Sequence, residues 1–180
     1  MNKLNRGLIV SCQAEEGSPF NSPEFIAAFA KAAVLGGATA VRVRDPENVA
    51  SVRKVVTLPV IGLTKGYYST GTVLITPNID DVIRLVDAGA DIVAVDATRR
   101  PRPDGTSGAE FLRLVKSTVK VAVMADISNL DEGVTAADAG ADYVSTTLSG
   151  YTEETKHANG LPDLDLVRAI SSRVSTPVIA

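Results

Sequence analysis

The chain has 180 residues, a formal net charge of −3, one cysteine and one histidine. Its hydrophobic content of 45% can bury one core, so we predict a single domain over residues 1–180. The charge gives no support for binding to nucleic acid or to a membrane, and one cysteine excludes an internal disulfide. No apolar run suits a signal peptide or a membrane span. We therefore expect a soluble cytoplasmic protein.

Short apolar strands alternate with helical patterns along the chain. The strands are continuously apolar, which is typical of strands covered on both faces. Gly37, Gly89 and Gly140 recur at a nearly constant spacing, each where a helix should end before a strand. The strands are predicted at about residues 7–12, 39–44, 58–64, 91–96, 120–125, 142–146 and 176–180.

Capping signals precede the predicted helices. Residues with side chains that can accept a hydrogen bond from the first helical turn stand at Ser22, Asp45, Asn78, Ser107, Ser128 and Asp163. Proline follows Ser22 and Asp45, as is common at a first helical position, and Glu110 completes a capping box with Ser107. In the first helix, Phe25 and Phe29 fall on one face with Ala32 and Ala33, and we take this as the apolar face.

Strict alternation of strands and helices leaves a (β/α)₈ barrel or a doubly wound sheet. The first strand is followed by "SCQAEEGSPF", which lacks the glycine-rich turn of a dinucleotide-binding fold. Two alternating strand types fit a barrel, whose alternate strands fill alternate interior layers. We predict an α/β fold of the (β/α)₈ TIM-barrel class. Since about seven strands are present, we interpret the chain as a barrel domain lacking its last helix, strand and helix.

Polar residues stand where the predicted strands end, which is where barrels carry their active sites. One such residue alone is as readily explained by solvent exposure, but the recurrence over six strands favours a site. The residues are Cys12 and Gln13, Arg42 and Arg44, Lys65, Asp96, Asp126, and Thr146 and Thr147.

Lys65 is the strongest candidate for a catalytic residue among them. A lysine at a barrel mouth can form a Schiff base, transfer a proton or hold a phosphate, or it can simply be an exposed loop residue. We expect Arg42 and Arg44 to face opposite sides of their strand, with the inward one requiring an anionic partner. Asp126 is either a site residue or an acid at a helix start.

Nucleophilic and metal chemistry find little support in the sequence. Cys12 has no histidine placed to activate it, because the single histidine, His157, lies in a polar loop. Zinc sites and histidine-based catalytic triads are therefore excluded, and we predict no metal site. The loop at 148–163 is either a mobile lid or an ordinary surface loop. The loop at 98–108 carries three arginines that could attract an anionic substrate.

Several segments resemble one family, the bacterial N-acetylmannosamine-6-phosphate 2-epimerases. The segments are "GLIVSCQA", "VIGLTK", "ITPNIDDV", "DIVAVDATRRPRPDG", "MADIS" and "TTLSGYT". The resemblance implies a barrel of the ribulose-phosphate-binding type. It also implies interconversion of N-acetylmannosamine-6-phosphate and N-acetylglucosamine-6-phosphate by removal and return of the C2 proton, in sialic-acid and amino-sugar catabolism. No redox cofactor is implied, and a homodimer is expected because family members often form dimers.

By this resemblance Lys65 is the acid/base at C2, and Gln13, Arg42 and Asp126 contact or orient the sugar. We expect the lysine to be partly desolvated among apolar strands near Arg42. The family continues after "PVIA" with a catalytic glutamate and with glycine-rich phosphate-binding turns, which would lie beyond Ala180. The family has "IRAN" where this chain has "VRVR", which makes Arg44 a departure from its pattern.

Two alternatives stay open at this point. The chain could be an inactive barrel fragment, at most a weak sugar-phosphate binder or a scaffold that completes itself by oligomerising. It could also be a related phosphosugar-binding barrel with a different substrate.

Overall fold

The computed structural model describes residues 4–66, 70–156 and 162–180. Parallel strands alternate with helices, as the sequence predicts, and the observed strands are shorter by one or two residues at most ends. The strands are β1 (Ile9–Cys12), β2 (Ala40–Arg44), β3 (Val60–Leu63), β4 (Ile92–Asp96), β5 (Ala122–Asp126), β6 (Tyr143–Ser145) and β7 (Val178–Ile179). The helices are α1 (Pro23–Leu35), α2 (Pro46–Arg53), α3 (Ile79–Asp87), α4 (Gly108–Thr118), α5 (Leu130–Asp138) and α6 (Leu164–Ser171), with a 3₁₀ turn at Thr146–Leu148.

The strands form one parallel sheet in which they follow each other in chain order, β1 to β7. This order, with a helix in every connection, is the connectivity of a (β/α)₈ barrel. The backbone divides into two compact units, Met1–Lys65 with Asp80–Val93 and Gly66–Ile79 with Ala94–Ala180. Within the described ranges, no helix is both long and apolar enough to cross a membrane.

The recurring glycines end their helices in the same way. Gly37, Gly89 and Gly140 have φ of 84°, 97° and 94°, a region that favours glycine because it has no Cβ. In each case the N–H of the next residue donates to a carbonyl in the last helical turn, at 3.0 to 3.1 Å. This is the Schellman arrangement, and it turns the chain sharply from the helix into the following strand.

In the first unit, α1 packs through small and branched side chains. Its buried residues are Ile26, Ala27, Ala30 and Ala33. The apolar face predicted from the phenylalanines was therefore wrong, because Phe25 and Phe29 are 45% and 38% exposed. They lie beside Phe20, whose ring meets that of Phe25 edge to face at 5.3 Å between centroids. The alanines let the helix approach the sheet closely, which leaves no room there for an aromatic ring.

Gly62, in the middle of β3, marks the face of the sheet that the helices cover. A Cβ atom at this position would lie 3.0 Å from the Ala90 Cβ atom, 3.1 Å from Cδ2 of Leu85 in α3 and 3.4 Å from Cγ2 of Val49 in α2. Alternate residues of a strand point to opposite faces, so Ile61 and Leu63 point away from these helices.

We expect Gly62→Ala to destabilise the protein by about 1–3 kcal/mol, because an added methyl in a close-packed layer forces neighbouring atoms apart. Urea unfolding followed by circular dichroism measures the change. Gly36→Ala is the matched control: a Cβ at Gly36 would have its nearest neighbours at 3.4 Å, an ordinary contact. An equal effect of the two substitutions would show that the layer at Gly62 has room to adjust.

Three of the six predicted helix caps are present, at Ser22, Ser107 and Asp163. Side chains of Ser22 and Asp163 accept from backbone N–H groups of the first turns of α1 and α6, and Ser107 forms the capping box with Glu110. The cap of α5 is Asn129, one residue later than predicted. Asp45 precedes α2 but its side chain makes no capping hydrogen bond.

In the second unit, helices α4 to α6 bury one apolar stripe each. The largest enclosed side chains of these helices are Phe111, Leu112 and Ile170, all at 0% exposure. Gly133 of α5 lies against Ile170 of α6, because a Cβ there would come within 3.1 Å of the isoleucine Cδ1. Strands β5 and β6 are buried at every position, as expected of strands covered on both faces.

Candidate active site

Two of the predicted site residues, Gln13 and Arg42, lie on one face of the sheet in the first unit. The register pairs Arg42 with Ser11 of β1 and with Ile61 of β3. Since Ile61 points away from the helices that enclose Gly62, Arg42 does so too. The side chain of Gln13 reaches back to the same face, where its Nε2 donates to Ser11 Oγ at 2.7 Å.

Lys65 stands two residues beyond Leu63, the last residue of β3. Its side chain is exposed, whereas Thr64 before it is buried. The expectation that apolar strands would desolvate the lysine is therefore not met in this ligand-free structure. The reason is that β3 ends at Leu63, so the lysine extends past the last buried residue of its strand.

Arg44 also lies on the face of Arg42, which corrects our expectation that the two arginines point in opposite directions. Residues two apart in a strand share a face, and the register pairs Arg44 with Leu63 as it pairs Arg42 with Ile61. Both arginines are partly buried. Nε of Arg44 lies 3.2 Å from Oδ2 of Asp45. Burial raises the pKa of the Asp45 carboxyl, and the charge of Arg44 lowers it by less.

Cys12 does not belong to this face. It pairs with Val43 and lies in the row of Gly62, which faces the helices. The side chain is 2% exposed, and desolvation raises the pKa of its thiol. A buried, protonated thiol on the far side of the sheet has no role in chemistry at the strand ends.

In the second unit, Asp126 ends β5 and is fully buried. Its backbone carbonyl accepts from the N–H of Ala97 at 2.9 Å. The register pairs Asp126 with Ser145 of β6, so the two side chains share one face. Ser145 is a candidate that the sequence analysis missed, and its hydroxyl exchanges a 2.7 Å hydrogen bond with that of Thr147. A serine that ends a buried strand just before the "TTLSGYT" segment was the available signal.

Asp96, also fully buried, has a local structural role. Its Oδ2 accepts from the N–H of Leu74 at 2.9 Å, and its Oδ1 accepts from the N–H and hydroxyl of Thr98 at 3.0 and 2.6 Å. Arg100 lies 3.6 Å from the same carboxylate. These contacts tie the segment after β3 to the segment after β4, and they account for both carboxylate oxygens.

The arginines of the loop at 98–108 are likewise engaged. Arg99 forms exposed ion pairs with Asp131 and Glu154 at 3.3 and 3.9 Å. Arg100 pairs with Asp96 and donates to the carbonyl of Tyr151, and Arg102 is 2% exposed. They therefore tie the loop together rather than forming an open cationic patch. His157 and the next four residues of the 148–163 loop, 158–161, lie outside the described residues.

No group of three or more histidine, cysteine or acidic side chains in the described part of the chain is placed to hold a metal ion. The polar strand ends thus offer amide, guanidinium, ammonium, carboxylate and hydroxyl groups. Groups of this kind bind sugar hydroxyls and transfer protons.

The fold and these strand ends define a protein of the (β/α)₈ barrel class. A solved structure, of the N-acetylmannosamine-6-phosphate 2-epimerase from Clostridium perfringens, matches it with a TM-score of 0.90 and 36% identity over 97% of this chain and 76% of that one. Thiamine phosphate pyrophosphorylase from Pyrococcus furiosus shares the fold alone, with a TM-score of 0.58 and 17% identity over 94% of this chain and 71% of that one. The predicted TIM-barrel fold is confirmed.

Sequence comparison is equally direct. A family model described as "Putative N-acetylmannosamine-6-phosphate epimerase" matches residues 26–180. A protein named "Putative N-acetylmannosamine-6-phosphate 2-epimerase" from Caldanaerobacter subterraneus is 46% identical over 100% of this chain and 76% of its own length. One of the same name from Clostridioides difficile is 43% identical over 100% of this chain and 80% of its own. The chain belongs to this epimerase family, which confirms the predicted resemblance.

Proposed function

We propose that this chain binds N-acetylmannosamine-6-phosphate and takes part in its interconversion with N-acetylglucosamine-6-phosphate. The observation that supports the proposal most directly is that Gln13 and Arg42 share one face of the sheet, while Lys65 follows the end of the neighbouring strand β3. Family membership supports the substrate class, because the relatives compared above share one name. The same agreement argues against a barrel with a different phosphosugar substrate.

The chemistry requires a base at C2. When the sugar ring opens, C1 becomes an aldehyde and the C2–H bond becomes acidic. In the proposed step the amine of Lys65 takes the C2 proton. The C2–H bonding electrons form a C1–C2 double bond and the carbonyl electrons move onto the aldehyde oxygen, which gives an enolate that keeps the acetamido group on C2. Return of a proton to the other side of C2 gives the epimer. The reaction neither oxidises nor reduces the sugar overall, so it needs no redox cofactor.

The other predicted residues would hold the substrate in this scheme. The guanidinium of Arg42 can stabilise negative charge on the enolate oxygen through charge-assisted hydrogen bonds. The amide of Gln13 and the carboxylate of Asp126 can hold sugar hydroxyls as acceptors, and the amide also as a donor. Enclosure by the substrate would supply the desolvation that the exposed Lys65 lacks in the free protein.

Solvent exchange tests the proposal on the 180-residue chain. Incubated with N-acetylmannosamine-6-phosphate in D₂O, the protein is expected to introduce deuterium at C2 and to accumulate the epimer, both followed by proton NMR. Isothermal titration calorimetry measures substrate binding separately. A chain that neither binds the sugar phosphate nor exchanges its C2 proton contradicts the proposal. Binding without exchange contradicts the catalytic part alone.

Two further expectations stay predictions. Homodimer formation can be measured by size-exclusion chromatography with light scattering, where the mass of a monomer would be 18.8 kDa. The cytoplasmic location can be tested by fractionation of the cells that make the protein.

A further inference from the structure

The carboxylate of Asp126, in the second unit, has a serine hydroxyl beside it in the sheet. The register pairs Asp126 with Ser145, so the two side chains lie on the same face of the adjacent strands β5 and β6. Adjacent strands are about 4.8 Å apart, a distance that a serine and an aspartate side chain can bridge with a hydrogen bond. Asp126 is 0% exposed and Ser145 is 2% exposed, so water has little access to either. Polar groups enclosed in this way are normally hydrogen-bonded within the protein.

A second hydroxyl holds that of Ser145. Oγ of Ser145 lies 2.7 Å from Oγ1 of Thr147, and either hydroxyl can be the donor in this bond. Two hydroxyls carry two protons, and a bond between them uses one of the two. Thr147 is exposed, whereas Ser145 is enclosed in the row of Asp126. When Thr147 donates, the proton of Ser145 is left for the carboxylate, and hydrogen bonds to a charged acceptor are the stronger kind.

The backbone around Asp126 is held from both neighbouring strands. The carbonyl of Asp126 accepts from the N–H of Ala97, just after β4, at 2.9 Å. On the other side the N–H of Ile127 donates to the carbonyl of Ser145 at 2.8 Å, and the carbonyl of Ile127 accepts from the N–H of Leu148 at 3.1 Å. The freedom left to Asp126 is therefore rotation about its two side-chain bonds. A hydrogen bond from a hydroxyl in the same row restricts that rotation.

We propose that Ser145 is a positioning residue for Asp126, an inference that rests on the proposed function. The hydroxyl of Ser145, itself held by Thr147, donates to the carboxylate and fixes the orientation in which Asp126 accepts a hydroxyl of the sugar. An acceptor that is already oriented binds more tightly than one that rotates freely, because less side-chain freedom is lost when the sugar binds. Ser145 acts through Asp126 in this arrangement and does not itself contact the sugar.

A double-mutant cycle between Ser145→Ala and Asp126→Ala tests the inference, with calorimetric affinity for N-acetylmannosamine-6-phosphate as the measurement. In the 180-residue protein, Ser145→Ala is expected to weaken binding about three- to tenfold, the usual effect of losing one hydrogen bond. In the Asp126→Ala background the same substitution should change affinity by less than about twofold, because no carboxylate is left to orient. Ser172→Ala is the control, since the exposed hydroxyl of Ser172 donates to the carbonyl of Ala169 at 2.8 Å where α6 ends. It should bind the sugar like the wild type.

Wild-type affinity in Ser145→Ala would overturn the inference. An equal loss of affinity with and without the Asp126 side chain would overturn it as well, since Ser145 would then act independently of Asp126. If Asp126→Ala binds too weakly to measure, or if circular dichroism shows that Ser145→Ala does not fold, Ser145→Cys decides, because a thiol has a similar size but is a weak donor. That variant should lose affinity as alanine does, and wild-type affinity would overturn the inference. A wild-type protein that does not bind the sugar phosphate refutes the proposed function instead.

Discussion

Lys65→Ala is expected to lower the rate of C2 proton exchange by about 10²–10⁴-fold, the usual contribution of a positioned acid/base group. Alanine has no group that can take the C2 proton, and water at an exposed site is a poor substitute. The measurement is deuterium incorporation from D₂O into N-acetylmannosamine-6-phosphate, followed by NMR. Substrate affinity, measured by calorimetry, should change much less than the exchange rate, because the proposed binding groups remain.

Lys54→Ala is the control for this substitution. Lys54 is an exposed lysine of the same unit, but it lies at the end of α2, before β3 begins. Removing its charge tests for general electrostatic effects without touching the proposed site. If Lys65→Ala exchanges the C2 proton at the wild-type rate, Lys65 has no part in the mechanism. The family assignment would stand, but another base would have to be found.

The sequence predicted the elements well because their signals are local. Gly37, Gly89 and Gly140 are needed for a left-handed backbone at the end of a helix, and this need is independent of what the helix packs against. The capping box of Ser107 and Glu110 likewise involves residues three apart. Such features can be recognised in a single sequence. Together they were enough to predict the alternation of strands and helices and the fold class.

The face on which a side chain lies, and whether it is buried, were harder to predict, because both depend on residues that are distant in the chain. Phe25 and Phe29 suggested the wrong face of α1, because the buried face consists of Ile26 and three alanines. Asp96 had the pattern of a site residue, yet its partner at Leu74 is 22 residues away. The sequence analysis also placed Arg42 and Arg44 on opposite faces of their strand, and this error had a different cause. The period of two in a strand already implied it, and the register made it plain.

The second substitution with a large expected effect is at Arg102, where we expect a loss of stability. The guanidinium stacks on the ring of Phe111, 3.8 Å from its centroid. It donates to the carbonyl of Thr76 at 3.3 Å and to that of Pro77 at 3.0 Å, and also to the carbonyl of Asp96. Desolvation lowers the pKa of Arg102 to about 10, so it stays charged at neutral pH. This one side chain therefore satisfies carbonyls on both segments that Asp96 also joins.

Arg102→Met is expected to lower the free energy of unfolding by about 3 kcal/mol. Methionine fills a similar volume and keeps the contact with Phe111, but it removes the hydrogen bonds that Arg102 donates to three carbonyls. The buried charge is itself costly, so its removal offsets part of that loss. Urea unfolding of Arg102→Met and of Arg113→Met measures the difference, because Arg113 is an exposed arginine on the same helix as Phe111. Surface substitutions of this kind usually change stability by about 0.5 kcal/mol or less. If the two variants are equally stable, water must reach the three carbonyls, and the segments must be joined through Asp96 alone.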